Sequence, residues 1–441
     1  MKKTISLILA LGMVVTLFAG CGSKASTTTV DSSSKAGAKK NITLTYLASQ
    51  DWLKDPEKEL AKKFEAETGI KIDFQIVPSD QYTNMLKTKL NAKESTDIFG
   101  SQSGKWDLIP NIQVDKNAVD LSNEEWANRM DPLVKEQLTA NNKLYGISLI
   151  DVTSNWFIVY NKTIFQKLNL SIPKTYAEFK TVCKTISDSG VTPVYECVSD
   201  GWHHVLWFPE MGPQFENLEK GLGDKLNNNQ SKFADSKAIL TDLNQVQDMV
   251  KSGFWGKNYM SNTYTDTEKN MASGKYAMTV YNLGLPDQIQ KAFPDVKSTD
   301  FGYFPIPLDD NQIVNVNPAG PSKFIWTGSK NIPAAKQYFE YLAKQENLQY
   351  FLDNVSTYSQ LCFSGLKDKY TPEQKKFFDT YKVKGTVYQT QLKYLNPQWE
   401  DIGKDLSGMF LGGVTPESVL KNIDNRRTEA GKAAKDAAWT K

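Results

Sequence analysis

From Ile42 onward, short blocks of apolar and polar positions follow one another with a changing period. Ile42, Leu44 and Tyr46 alternate with polar residues, which predicts a half-buried strand ending in Ser49-Gln50-Asp51-Trp52. A helix is predicted next. Asp55 is placed to cap it, Pro56 sits at the first helical position, and Leu60 and Phe64 share one face. Gly69 supplies a left-handed stop. Ile70, Ile72, Phe74 and Ile76 alternate with Lys71, Asp73 and Gln75 as a second strand. Ser79 or Asp80 opens a second helix carrying Tyr82, Met85, Leu86 and Leu90. Asp97 to Gly100 is a short strand running into the polar turn Ser101-Gln102-Ser103-Gly104. Strand-helix-strand-helix-strand implies a parallel sheet with helices on its faces. Ligands bind such sheets beyond the carboxyl ends of the strands, which places Gln50, Asp51, Trp52, Gln102 and Ser103 at a candidate mouth.

The stretch Leu144 to Phe165 has a different pattern. Ile147 and Leu149 mark one strand, and Phe157 to Tyr160 another. Between them lies a polar joint from Asp151 to Asn155, with Trp156 at its edge. This suits either a hairpin or a chain crossing between two bodies, where hinge and ligand groups collect. Helices are predicted over Tyr176–Ser187, Phe233–Ser252, Thr265–Ser273 and Pro333 to about Gln345, with a last one opening at Thr415-Pro416. Val191–Val198, with the run to Trp207 after it, and Tyr276–Tyr281 read as strands, the latter ending in Asn282-Leu283-Gly284. Phe301 to Pro307 is extended and reads as a second crossover.

The first forty residues differ from all of this. Lys2 and Lys3 precede an apolar run from Ile5 to Phe18, which is too short to span a bilayer and suits a signal peptide. Leu17-Phe18-Ala19-Gly20-Cys21 resembles a bacterial lipoprotein signal, with Cys21 the lipidated residue and Phe18 standing where a Leu is usual. The alternative is an ordinary secretory cut. Gly22 to Lys40 is built of Ser, Thr, Ala, Gly and Lys with one Val, and is expected to be a flexible tether reaching roughly 25 Å. The expected location is therefore the outer face of the cell membrane, held by a lipid anchor.

Some 400 residues remain, which predicts two lobes. Setting aside Lys2 and Lys3 leaves 50 basic against 50 acidic residues, and a neutral surface argues against nucleic acid as a partner. Besides Cys21 there are Cys183, Cys197 and Cys362, an odd number with no CxxC or zinc spacing. Cys183 and Cys197 can pair, although buried free thiols fit the pattern better. No GxSxG, P-loop, GxGxxG or HExxH is present, and His203 and His204 are the only histidines. Adjacent histidines in a strand point apart and make a poor metal pair. No catalytic residue, metal or cofactor is expected; the enzyme rival is a glycoside hydrolase with two carboxylates.

Several stretches in order resemble the bacterial extracellular solute-binding proteins that serve carbohydrate importers of the ATP-binding-cassette type. They are Phe64–Ile72, Lys143–Ser148 with Val159–Lys162, Pro173–Phe179, Met271–Met278 and Thr415–Leu420. Ser148 replaces a common Pro, Tyr176 a Trp, and Met271 and Tyr276 also depart from the pattern. The resemblance implies a two-lobed α/β fold of the periplasmic-binding-protein kind, each lobe a mainly parallel sheet flanked by helices, with several crossovers. It implies a first lobe of residues 41–150 and 312–352 and a second of 151–311 and 353–441, after a signal at 1–20 and a tether at 21–40. It also implies a monomer that binds a sugar, such as an oligosaccharide, between closing lobes and then docks on the permease. A peptide or other solute is the alternative ligand.

A sugar needs aromatic rings for its C–H faces and directional groups for its hydroxyls. Aromatics beside polar residues recur at expected loop tips: Asp51-Trp52, Asn155-Trp156, Asp200 to His203, Gln398-Trp399-Glu400, Tyr281-Asn282 and Tyr358-Ser359-Gln360. The expected ligand-binding set is Gln50, Asp51, Trp52, Gln102, Ser103, Asn155, Trp202, Asn282, Tyr358 and Trp399. Trp126, Trp207, Trp255 and Trp439 are assigned to packing. A hydrogen-bonding role for His203 is the lesser reading of that residue, which stays outside the expected set.

Overall fold

The computed structural model describes residues 42–440 apart from Asp51 and Ser154. The expected signal, tether and Cys21 lie outside the described residues, as does the expected site residue Asp51. Strands β1 (Ile42–Ser49), β2 (Ile70–Val77) and β3 (Ile98–Gln102) form where the alternation places them. Both β2 and β3 run parallel to β1. The helix Asp55–Thr68 between β1 and β2 buries Leu60 and Phe64, and Gly69 ends it at φ 76° with its N–H donating to Glu65 O. Lys54, not Asp55, holds the N-cap position. Asp55 begins the helix instead, where its carboxylate meets Lys58 Nζ at 2.9 Å and favours the positive helix end.

A hairpin of β4 (Thr139–Ala140) and β5 (Lys143–Leu144) turns on Asn141 and Asn142, which take the left-handed conformations such a two-residue turn needs. Next come β6 (Gly146–Ser148), β7 (Phe157–Asn161), β8 (Thr192–Tyr195), β9 (Tyr276–Tyr281) and β10 (Phe301–Phe304). The last three are β11 (Val314–Val316), β12 (Pro321–Ile325) and β13 (Val383–Thr386). One sheet has the order β2-β1-β3-β12-β6, a second β10-β7-β9-β8, and β11 pairs with β13. The chain leaves the first sheet after β6, builds the second, and returns as β12.

The expected α/β architecture on two sheets holds, but neither sheet is mainly parallel. Within these two sheets parallel pairing joins β1 to β2 and β3, and β8 to β9; the separate pair β11 and β13 is also parallel. Strand β12 is antiparallel to β3 and β6, and β7 is antiparallel to β9 and β10. A strand-helix-strand unit returns the chain parallel. Strands β7 and β12 each enter from the other sheet and are free of that requirement.

A core of Leu44, Phe64, Phe99, Ile147, Phe324 and Phe351 packs around the first sheet, drawn from residues 44–152 and 324–363. The second sheet is buried on both faces. Along β7, Ile158 and Tyr160 join one cluster while Phe157 and Val159 join another, as a period of two requires. Trp126, Trp207, Trp255 and Trp439 are buried as packing residues. Cys183, Cys197 and Cys362 are free and buried, so Cys183 and Cys197 do not pair. The predicted helix over Phe233–Ser252 breaks at Ser236, whose Oγ accepts from Ile239 N at 3.2 Å and caps Lys237–Lys251. His203–Trp207 is a tight 3-10 turn and not strand, because Gly201 at φ 78° reverses the chain after β8. Among the described residues no helix is long and apolar enough to cross a membrane.

The passages between sheets run side by side. Asp151 Oδ2 accepts the N–H groups of Ser359 and Gln360 at 2.8 and 3.1 Å. Asn155 Nδ2 donates to Asn315 Oδ1, and Asn315 Nδ2 donates to Glu210 Oε2 at 3.2 Å. Burial pushes the Glu210 carboxyl up to about 8, against the bonds from Asn155 and Asn315. On β12, Lys323 Nζ pairs with Glu57 Oε2 at 3.1 Å, and both side chains are buried.

Glu210 stays protonated in the fold but ionises in the unfolded chain, so its contribution falls as pH rises from its ordinary value toward about 8. Glu210→Gln mimics the protonated acid. In urea titrations it is expected to stabilise the protein by about 2 kcal/mol or more at neutral pH and little near pH 4. Equal effects at both pH values would count against the buried-acid account. Lys323→Ala is expected to cost about 3–5 kcal/mol by stranding Glu57, while joint replacement by Glu57→Leu and Lys323→Met recovers most of it. A loss under about 1 kcal/mol in the single variant would show that the pair is not sealed from water.

Candidate functional site

Aromatic rings gather at one end of the second sheet. Trp156 precedes β7, Tyr281 ends β9, Trp202 follows the turn after β8, and Tyr264 begins a 3-10 turn. The ring centroids of Trp156 and Trp202 are 5.6 Å apart, and those of Trp202 and Tyr264 5.0 Å. Tyr264 stacks on Tyr281 at 4.9 Å with an interplanar angle of 5°. Trp156, Trp202 and Tyr264 are half-buried, so part of each remains available to a ligand. Trp399 joins them by donating from Nε1 to Trp202 O at 3.1 Å. That approach depends on a glycine: a Cβ on Gly403 would fall 2.0 Å from Gly201 O. Only a bare backbone lets the helix Trp399–Phe410 sit so close to the Trp202 turn.

Polar groups border this floor. Asp200 accepts the backbone N–H of Tyr264, and a Cβ on Gly201 would lie 3.0 Å from Glu400 Oε2. Burial pushes the carboxyls of Asp200 and Glu400 up. Beneath the rings, His203 and Glu196 are buried and bonded, with Nδ1 2.6 Å from Oε1. Glu196, Cys197 and His203 place donor atoms within 4.8 Å of one another. The histidine nitrogens face Glu196 and Val280 O, and Glu196 also accepts from Cys197 N and Trp207 Nε1. Both His203 nitrogens and both Glu196 oxygens are thus engaged in hydrogen bonds.

A second, polar group of residues lies where chain from the first sheet meets chain of the second. Gln102, Ser103, Asp107, Asn317, Gln389 and Asn396 line a small cleft there. Asn396 Nδ2 donates to Asp107 Oδ2 at 3.1 Å, and Trp106 Nε1 donates to Gln391 O at 3.1 Å. Burial pushes the Asp107 carboxyl up to about 7, so it changes between donor and acceptor near neutrality. Asn396 and Trp399 stand one helical turn apart, which makes the cleft and the aromatic floor neighbours.

The expected site residues fall into separate groups. Trp202 and Trp399 come together in the aromatic floor. Gln102 and Ser103 line the cleft, but Ser103 is buried and tied to Gly320 by its N–H and its Oγ. Asn155 is buried in the passage network. Asn282 Oδ1 is occupied by Gly284 N at 2.9 Å. Tyr358 is half-buried against Phe351 of the first core. Trp52 packs edge-on against Tyr82 at 4.9 Å, and Gln50 is exposed in the turn after β1. Tyr264, Asp107 and Asn396 were outside the expected set. For Tyr281 the pairing with Asn282 was the available signal; for Tyr264 the run Thr263 to Asp266 offered none.

The chain matches the sequence profile of bacterial extracellular solute-binding proteins over residues 50–349. It is 22% identical over 432 residues to the melibiose/raffinose/stachyose-binding protein MelE of Bacillus subtilis (strain 168), covering 96% of this chain and 95% of that one. It is 23% identical over 356 residues to the multiple sugar-binding protein of Streptococcus mutans, covering 80% and 81%. Its fold is similar to that of a Bacillus licheniformis sugar transporter solved in complex with stachyose, with a TM-score of 0.70, 21% identity, and coverage of 88% of this chain and 100% of that one. The profile spans well over half of the chain, and the two-sheet fold agrees with it: this protein belongs to the bacterial extracellular solute-binding proteins, a family that binds solutes and does not transform them.

Proposed function

We propose that this protein is the sugar-binding component of an ATP-binding-cassette importer, taking an oligosaccharide between two lobes. The observation that carries the reading is the aromatic floor of Trp156, Trp202, Tyr264 and Trp399 beside the polar cleft of Gln102, Asp107 and Asn396. Rings supply surface for sugar C–H faces, and the cleft supplies directed partners for hydroxyls. The sugar-binding names of its relatives support the same ligand class. One lobe comprises the first sheet and its core, residues 42–152 and about 320–363; the other comprises the second sheet and the remaining chain. Closure requires a ligand that touches both, since contact with one lobe gives no preference for the closed state. Cys21 carries the lipid that holds the monomeric receptor at the outer face of the membrane, and the closed form docks on the permease.

A thermal-shift screen with melibiose, raffinose, stachyose, chitin oligosaccharides and short peptides tests the ligand class. A sugar at a hundred times its dissociation constant adds about 2.7 kcal/mol and raises the melting point. A rise with peptides alone would replace the sugar reading. Trp202→Ala is expected to weaken the selected sugar at least tenfold, about 1.4 kcal/mol, by calorimetric titration. Full affinity in a folded variant would remove Trp202 from the site.

A further inference from the structure

The aromatic floor rests on a histidine whose contacts determine its charge. His203 is fully buried. Its Nδ1 lies 2.6 Å from Glu196 Oε1, and its Nε2 lies 3.0 Å from Val280 O. A backbone carbonyl only accepts. Glu196 accepts as well: Oε1 takes the Cys197 N–H at 3.0 Å and Oε2 takes Trp207 Nε1–H at 2.6 Å. A neutral imidazole has one N–H to give, and two acceptors require two.

The same ring touches the floor from below. Its centroid is 5.2 Å from that of Trp202, 5.9 Å from Trp156 and 5.7 Å from Tyr264. The ring of Trp156 stands at 88° to it. Turning of the His203 ring would therefore disturb all three aromatics.

We propose that His203 is an imidazolium at neutral pH and acts as a positioning residue, holding Trp156, Trp202 and Tyr264 as one sugar-binding surface. The positioning role rests on the sugar-site reading above; the charge state does not. Loss of the proton would leave either Glu196 or Val280 O facing a lone pair, and the ring would have to turn under the three aromatics.

The surrounding groups agree. Burial alone pulls the His203 ring down, but Cys197 and the Glu196 carboxylate outweigh it and raise it well above its ordinary value. Burial also raises the Cys197 thiol. His204 does not compete, because burial lowers it and its Nε2 donates to Gly403 O at 2.8 Å. Asp200 accepts the Tyr264 N–H, and Tyr264 and Tyr281 are raised and uncharged.

The two histidines of the sequence make the test direct. In tag-free protein labelled with nitrogen-15 histidine, one ring is expected to show both nitrogens protonated from about pH 6 to about pH 8, and the other a neutral tautomer. His203→Gln should delete the charged signal and weaken stachyose, or the sugar the screen selects, about tenfold. Wild-type affinity should stay flat across the same pH window. Glu196→Gln keeps the ring but brings its titration into that window, so affinity falls as pH rises. A neutral His203 in the wild type overturns the proposal. A charged ring with full affinity in both folded variants overturns the positioning role alone. Full affinity in Trp202→Ala, or binding of none of the screened sugars by the wild type, removes the site reading and the positioning role, while the spectrum still decides the charge.

Discussion

The first sheet is completed by a strand that comes after the whole second sheet in the chain, and the rest of the molecule follows from that connectivity. Strand β12 lies between β3 and β6, pairing Pro321 with Gln102 and Ser322 with both Ser101 and Ser148. It follows β7 to β10, which belong to the other sheet, in chain order. Its entry is tied by the exchange between Ser103 and Gly320, and its middle by Lys323 against the buried Glu57. Several passages of chain therefore lie close together, joined through Asp151, Asn155, Asn315 and Glu210. Bending about such a bundle is a lower-cost relative motion than sliding, because sliding would break buried polar pairs that water cannot reach.

The two bodies bring unlike chemistry to the place where they meet. The second sheet presents rings, which bind without strong directional demand. The segment Trp106-Asp107, set after β3, presents a carboxyl and an indole N–H that already reach Asn396 and Gln391. A ligand satisfied by rings alone would leave the bodies as free to open as before. Any group that engaged Asp107 or Asn396 would compete with the bond these two already share across the cleft.

Much of the scaffold was legible because it depends on local periods. The alternation of β1 and β2, the left-handed stop at Gly69 and the cap at Thr415, whose Oγ1 accepts Ser418 N at 3.2 Å, follow from a few adjacent residues. Strand direction does not. Whether β7 runs parallel or antiparallel depends on where the chain has come from, which no window of sequence contains. The candidate site was legible where an aromatic and a polar residue stood together in sequence, as at Trp202 and Trp399, which the fold brings into contact. It failed where polarity served the fold instead. Asn282 and Ser103 look available in sequence, yet their oxygens close turns and joints. His203 was read in a strand, which hid its reach back to Glu196 across the Gly201 turn.

That turn also explains why the aromatic floor is rigid before any ligand arrives. Gly403 brings the helix Trp399–Phe410 onto Gly201 at a distance no side chain would permit. The same closeness lets His204 Nε2 donate to Gly403 O and Trp399 Nε1 donate to Trp202 O. Trp202 is thus gripped through its backbone by one element, while its ring meets His203 and Trp156 below and beside it. Rings fixed in this way have little further freedom to lose to any group that would stack on them, which lowers the ordering cost of such a contact. The contact of Asp107 with Asn396 differs in kind from these rings, since it joins chain that follows the first sheet to chain of the second body across the cleft.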